Sequence, residues 1–358
     1  MGAKMRGFEM EENAAGGAGR EKKKINLALQ GGGSHGAFTW GVLDVLLADE
    51  RLEIEAVTGS SAGAMNAVVM TQGFIENGRE GARKKLNEFW RSISMEGQLS
   101  PLQRQAFRLF FTGWPLQTQI TRWWADVVTH FASPYDFNPL NLNPLRDHLS
   151  KIVDFPSVRA FRDYRLFVGA TNVHTSQIQV WHGEELQVEH VLASACLPFI
   201  FQAVEIDGVP YWDGGYRGNP ALFPLFYGTE CPDIVIIQIT PFIRHTTPQT
   251  ARDIQDRLNE ITFNGALMSE MRAIDFVNRL IDSGKLSRKD YMRPNLHCID
   301  GSALLDAFSS TTKLDSSWHL MEKLYQYGRR AAEDWLAATF DSIGVKGTLD
   351  LRTAFSAA

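Results

Sequence analysis

The sequence predicts an α/β protein: a mostly parallel central sheet covered by helices on both faces. Two observations carry this. Between residues 25 and 73 an apolar run, a turn and a helix-like segment follow one another twice, the spacing of strand–helix–strand–helix units. Farther on, DIVIIQIT (233–240) is apolar almost throughout, as a strand buried on both faces must be.

The elements follow in order. INLALQ (25–30) reads as a short buried strand with turn residues immediately after it. GAFTWGVLDVLLA (36–48) places Phe38, Val42, Val45 and Leu46 on one helical face. IEAVTGS (54–60) is a second strand and AGAMNAVVMTQG (62–73) a second helix, closed by Gly73. RLFVGATNV (165–173), IQVW (178–181) and QAVEI (202–206) read as further strands. NPLRDHLSKI opens a helix with Asn143 as cap and Pro144 in the first turn. Leu258, Ile261, Met268, Met271, Ile274 and Leu280 recur at helical spacing over 252–283, and 314–340 is another amphipathic helix. Both stripes read first as core and second as an apolar ligand groove. Residues 1–23 read as a disordered tail, and 24–358 as one domain, helical from about 245. Within it, about 100–142 is an aromatic-rich insertion bordering or covering a site; Phe110, Phe111, Trp114, Trp123 and Trp124 suit a membrane contact, an acyl channel or a buried lobe.

Composition excludes several classes. The chain has 358 residues, 44% hydrophobic and 22% charged, ordinary for a soluble globular protein. A net charge of −5 gives no reason to expect nucleic acid as a partner. Cys196, Cys231 and Cys298 are odd in number and lack metal-ligand spacing, which argues against a disulfide scaffold or a zinc site. A reducing, cytoplasmic compartment fits them. No apolar run approaches the ~20 residues that span a bilayer, and the N-terminus lacks the apolar stretch of a secretory signal. REKKK (20–24) reads as a solvated run, with peripheral contact to an anionic membrane as the other reading.

The stretch LALQGGGSHGAF (27–38) satisfies G-x-G-x-x-G through Gly31, Gly33 and Gly36, after a strand and before a helix. A dinucleotide site would also want an acidic residue at the end of the second strand. That strand ends instead in Gly59-Ser60-Ser61-Ala62-Gly63, a G-x-S-x-G on a strand–turn–helix, the setting of a nucleophile elbow. Gly59 and Gly63 leave the room such a tight turn demands, and Ser61 projects from the carboxyl end of the sheet toward a helix N-terminus. The glycine loop then has a chemical use. Backbone N–H groups of Gly31, Gly32 and Gly33 can hold the oxyanion formed when a serine attacks an ester. A nucleotide-binding module through the same loop is the non-enzymatic alternative.

A serine needs a base. A serine–acid–histidine esterase would draw on His245 or His297, neither of which carries a recognisable signature. Asp213, after a short apolar strand and before Gly214-Gly215, offers a carboxylate presented from a tight turn. GGGSHG, GSSAG and DGG in that order, with ASACLPFIFQAVEIDGVPYWDGGYRGNP (193–220), resemble the patatin-like phospholipases over roughly residues 25–240. The resemblance implies their fold, a Ser61–Asp213 dyad with Asp213 as direct proton acceptor, an oxyanion hole from Gly31, Gly32 and Gly33, and acyl hydrolysis of lipid through an acyl-enzyme without cofactor or metal. His35 stands where this family often has arginine or lysine, which leaves phospholipid, other acyl esters and storage polyester all open as substrates.

Overall fold

The computed structural model describes residues 22–94, 133–302 and 317–351. Eight strands pair into one sheet: β1 (Lys23–Leu29), β2 (Leu52–Gly59), β3 (Arg165–Asn172), β4 (Ile178–His182), β5 (Val204–Ile206), β6 (Val209–Asp213), β7 (Asp233–Gln238) and β8 (Asn295–Asp300). The helices among these residues are α1 (Gly36–Ala48), α2 (Ala62–Ile93), α3 (Pro134–Phe137), α4 (Pro144–Ile152), α5 (Phe155–Ala160), α6 (Val188–Ser194), α7 (Phe223–Gly228), α8 (Ala251–Asp282) and α9 (Trp318–Thr339).

The period-two alternation of each strand separates two hydrophobic layers. Ile25, Leu27 and Leu29 of β1, Val57 of β2, Leu166 and Val168 of β3 and Val235 and Ile237 of β7 join one core with α1, α2 and α9. Their neighbours Ala28, Ala56, Phe167, Ile234 and Ile236 join the other, with α7 and α8. The result is helix, sheet, helix, as expected. Burial on both faces explains why these strands read as near-continuous apolar runs.

β8, β7, β1, β2 and β3 are parallel neighbours in that order. β1 is therefore the point where the chain order reverses, the place on an open α/β sheet where loops diverge and a crevice forms. β3 sets the register of three neighbours. β4 pairs antiparallel with it along Phe167–Thr171 and fills one edge. On the opposite edge β2 pairs along Arg165–Val168, and β6 comes in antiparallel along Ala170–Asn172. β2 and β6 thus run head-on along a single edge of β3.

Most predicted elements agree within a few residues, and the differences have physical reasons. α2 does not close at Gly73; it continues to a break at Asn77–Gly78, where Gly78 takes φ 56°, and a second helical stretch runs on to Ile93. Gly73 is needed instead for the contact across this bend, since a Cβ there would lie 2.4 Å from the carbonyl oxygen of Gly81. On α8 the buried stripe is Glu260, Asn264, Leu267, Met271, Ile274 and Ile281, while Leu258 and Ile261 are exposed. Two polar residues begin that stripe, so hydrophobic spacing misplaces its N-terminal half. β8 carries His297 within a short mixed run and shows no strand pattern in sequence. Asn143 caps α4 as expected, its Oδ1 accepting the Leu145 N–H at 3.1 Å. The expected N-terminal tail lies outside the described residues except for Lys22 and Lys23, and Lys23 opens β1. The aromatic insertion lies outside them up to residue 132, its five named aromatic residues included. No helix among the described residues is long and apolar enough to cross a membrane.

α9 packs on α1 by direct backbone approach. A Cβ on Gly41 would stand 2.0 Å from the carbonyl oxygen of Tyr325, and one on Gly328 would stand 2.0 Å from that of Phe38. Trp40 stacks on Tyr325 beside this contact, with ring centroids 4.0 Å apart. Neither helix can accept a methyl group here without moving away. Gly328→Ala should therefore cost about 1–3 kcal/mol, read as a lower urea midpoint at unchanged slope; an unshifted midpoint would show that the helices do not meet through these glycines.

Candidate active site

Ser61 follows the end of β2, where Gly59 is opposite Val168 of β3, and Asp213 ends β6 opposite Ala170 of the same strand. The head-on arrangement brings the two side chains together. Ser61 adopts φ 54°, ψ −125°, a region that non-glycine residues avoid at a cost of about 1–3 kcal/mol. The surroundings hold it there. Its N–H donates to both the carbonyl oxygen (3.1 Å) and the Oγ (3.0 Å) of Ser194, and Ser194 Oγ in turn donates to the Gly169 carbonyl at 2.6 Å. Gly63 lies so close to β1 that a Cβ would be 2.2 Å from the Leu29 carbonyl oxygen. Gly59 sits against Gly63, and Gly36 against Ala62 and Trp90.

Asp213 has no exposed surface. Its Oδ1 accepts the Gly215 N–H at 2.7 Å across the tight turn that Gly214 and Gly215 make possible. Gly214 is pressed against the Gly169 carbonyl and Gly215 against the ring of Phe263 on α8. No Lys, Arg or His among the described residues pairs with this carboxyl. Burial therefore pushes its pKa from the ordinary 3.8 up to about 7, opposed by the Gly215 N–H and, more weakly, by the Ser61 hydroxyl. Its Oδ2 is buried and meets no donor among the described residues.

The core opens at this place. From Ile25 to Leu47 every residue is buried except Gly32 and Gly33, and from Ala56 to Gly73 every residue is buried except Ser61. Among the described residues the N–H groups of Gly32, Gly33 and Ala62 meet no protein acceptor, and Gly33 takes φ 60°. Gly31 departs from the expected set of oxyanion donors. Its N–H donates to Asn219 Oδ1 at 2.7 Å, so it has nothing left to give an oxyanion. The Ala62 amide is the first N–H of α2, at the turn that carries Ser61. Two further hydroxyls near the glycine loop, Ser34 Oγ and Thr240 Oγ1, are buried without a partner among the described residues.

Of the expected histidines, His297 is buried in β8 with Nε2 3.0 Å from Asp233 and Nδ1 3.0 Å from Thr348. Both ring nitrogens are occupied there, midway along a strand rather than at its carboxyl end. His245 is exposed in the loop after β7. His35 is 2% exposed at the start of α1, so its imidazole does not face solvent. No group of three or more His, Cys, Asp or Glu among the described residues is arranged to hold a metal ion.

Sequence reasoning missed the supporting polar residues. Thr58 near the end of β2 and Ser60 immediately after it donate their hydroxyls to the carbonyls of Ala221 (3.1 Å) and Gly218 (2.5 Å). Gln30 Oε1 accepts the N–H groups of Ile239 (2.8 Å) and Thr240 (2.9 Å), and its Nε2 reaches Asn264 of α8 at 3.3 Å. A polar residue ending an otherwise apolar strand is the signal that marks Gln30, Thr58 and Ser60.

A sequence profile described as patatin-like phospholipase matches residues 27–226, a span from β1 through nearly all of α7. No curated protein matches the chain significantly. Among solved structures, the chain is similar to the crystal structure of VipD from Legionella pneumophila, with a TM-score of 0.34 and 13% identity over 88% of this chain and 67% of that one.

The Asp213 environment predicts a measurable stability effect. Between about pH 4 and 7 the native carboxyl keeps a proton that the unfolded chain releases, so stability falls as pH rises through that window and stays low above it. Asp213→Asn removes the penalty. The variant should melt a few degrees above wild type at pH 8, with the gap closing toward pH 4. Equal melting temperatures at pH 8 would mean that the carboxyl is well solvated.

Proposed function

The chain belongs to the patatin-like phospholipase family, a family of lipid acyl hydrolases, and from that premise we propose that it cleaves acyl esters with Ser61 as nucleophile and Asp213 as its only base. The observation that carries this reading is a fully buried carboxyl, unpaired with any cation among the described residues, beside the hydroxyl of a serine held on a strained turn.

In this reading Ser61 Oγ attacks the ester carbonyl carbon while its proton passes to Asp213. Negative charge develops on the carbonyl oxygen. The amides of Gly32, Gly33 and Ala62 and the N-terminal dipole of α2 stabilise it. Collapse breaks the bond to the alcohol, which leaves with the proton from Asp213, and the acyl group remains on Ser61. Water then attacks the acyl-enzyme, gives its proton to Asp213, and the fatty acid departs as Ser61 recovers its hydrogen. A carboxyl poised near neutrality suits both halves, because it can accept a proton and give it back at similar cost.

Fluorophosphonate labelling of the full chain, mapped by peptide sequencing, tests the nucleophile. Ser61 should carry the label, and Ser61→Ala should lose both labelling and ester turnover; a label elsewhere, or none, overturns the assignment. The base is tested by pH. With a soluble ester, kcat/KM should rise with pH through an apparent pKa near 7, and Asp213→Asn should lower it by about 10³-fold or more. Full activity in Asp213→Asn together with loss in His245→Ala or His297→Ala would favour a histidine-dependent esterase instead.

A further inference from the structure

Asn219 has no exposed surface and addresses Gly31 twice. Its Oδ1 accepts the Gly31 N–H at 2.7 Å, and its Nδ2 donates to the Gly31 carbonyl at 3.4 Å. One side-chain amide thus replaces the pairing that a neighbouring strand would supply. The Gly31–Gly32 peptide is planar and trans, so its C=O and N–H point in opposite directions. With the carbonyl turned toward buried Asn219, the Gly32 N–H is turned away from it, toward the opening where Gly32 and Gly33 are half-buried. We propose that Asn219 is a positioning residue that clips the Gly31 peptide and thereby aims the Gly32 amide at the oxyanion. This inference rests on the acyl-hydrolase reading of Ser61 and Asp213.

The clip is itself anchored. Carbonyls on either side of Asn219, those of Gly218 and Ala221, are held by Ser60, just past β2, and by Thr58 of β2, the strand that leads into Ser61. Gly31 is wedged from the other side, since a Cβ on it would lie 2.5 Å from Ser61 Cβ and 2.7 Å from the Ser60 carbonyl oxygen. Nucleophile and glycine loop are therefore registered to each other through the segment that also carries Asp213. Three consecutive glycines have more conformational freedom than any other tripeptide, and the clip is what selects one arrangement. The task needs a donor and an acceptor on one short side chain. Asn supplies both, an ionised Asp supplies only acceptors, and Ala supplies neither.

The test compares wild type, Asn219→Ala and the nearly isosteric Asn219→Asp as full chains. Each is assayed with p-nitrophenyl butyrate, with an alkyl trifluoromethyl ketone that forms a tetrahedral adduct on serine, and by thermal melting. Loss of one well-placed oxyanion donor typically costs about 10²–10³-fold in kcat. Asn219→Ala should approach that loss with KM changed less than about threefold, and its affinity for the ketone should fall by a similar factor. Asn219→Asp keeps an acceptor for the Gly31 N–H and should show the same kcat-specific pattern to a smaller degree. A residue that served folding alone would lower the melting temperature while leaving kcat per folded molecule and ketone affinity unchanged, and that result in either variant overturns the inference. A wild-type chain that neither labels at Ser61 nor hydrolyses the ester sinks the acyl-hydrolase reading, and the clip with it. A wild-type chain that does both, with variants that match it, sinks the clip alone.

Discussion

Everything at the candidate active site depends on one constraint of the sheet: β2 and β6 share an edge of β3 and approach each other end to end. A strand has two edges. β4 fills one of them along Phe167–Thr171, so β2 and β6 must divide the other. Only one residue of β3, Gly169, lies between Val168 and Ala170, the positions opposite Gly59 and Asp213. Residues far apart in sequence are thus brought together by backbone pairing, before any side chain contributes.

Such proximity is costly, and the surroundings offset the cost locally. The turn at Ser61 is strained, and the Asp213 carboxyl is desolvated with no counterion among the described residues. Neither survives by itself. Ser194 fixes the N–H of Ser61 from the end of α6, and the Gly215 N–H fixes one oxygen of Asp213. The glycines serve the same end by removing bulk where main chains touch. This is the usual division of labour in an enzyme, in which a rigid and over-determined frame holds a few groups in states they would otherwise leave.

What each residue does determines how legible it is in the sequence. β1, β2, β3 and β7 are readable because strands buried on both faces must be apolar, and the two glycine motifs are readable because close approach of main chains admits no side chain. β8 is hidden because its run mixes His297, Asn295 and Asp300 with few apolar residues. Hydrophobic spacing misplaces the N-terminal half of α8 because Glu260 and Asn264 face inward, Glu260 neutralised by Arg244 and Arg257. Gly31 is grouped with its neighbours because three identical residues carry no mark of which amide is already engaged. Only the fold, by bringing Asn219 across 188 positions of chain, separates Gly31 from Gly32.

The glycine-to-backbone contact between α1 and α9 bears on how the molecule can be divided. Residues 27–226 contain both Ser61 and Asp213 and bound the family match, yet α9 begins at Trp318. Asp44 of α1, 4% exposed, is enclosed by Arg83, Tyr325 and Arg329, two of which come from α9. A fragment cut after residue 226 would keep every reactive group and lose the wall behind them: Trp40 would meet water, Asp44 would lose two of its three partners, and α1, whose first turn grows out of the glycine loop, would be released from its outer support. The chemistry is written in the first two-thirds of the chain, but the last third is what keeps it in place.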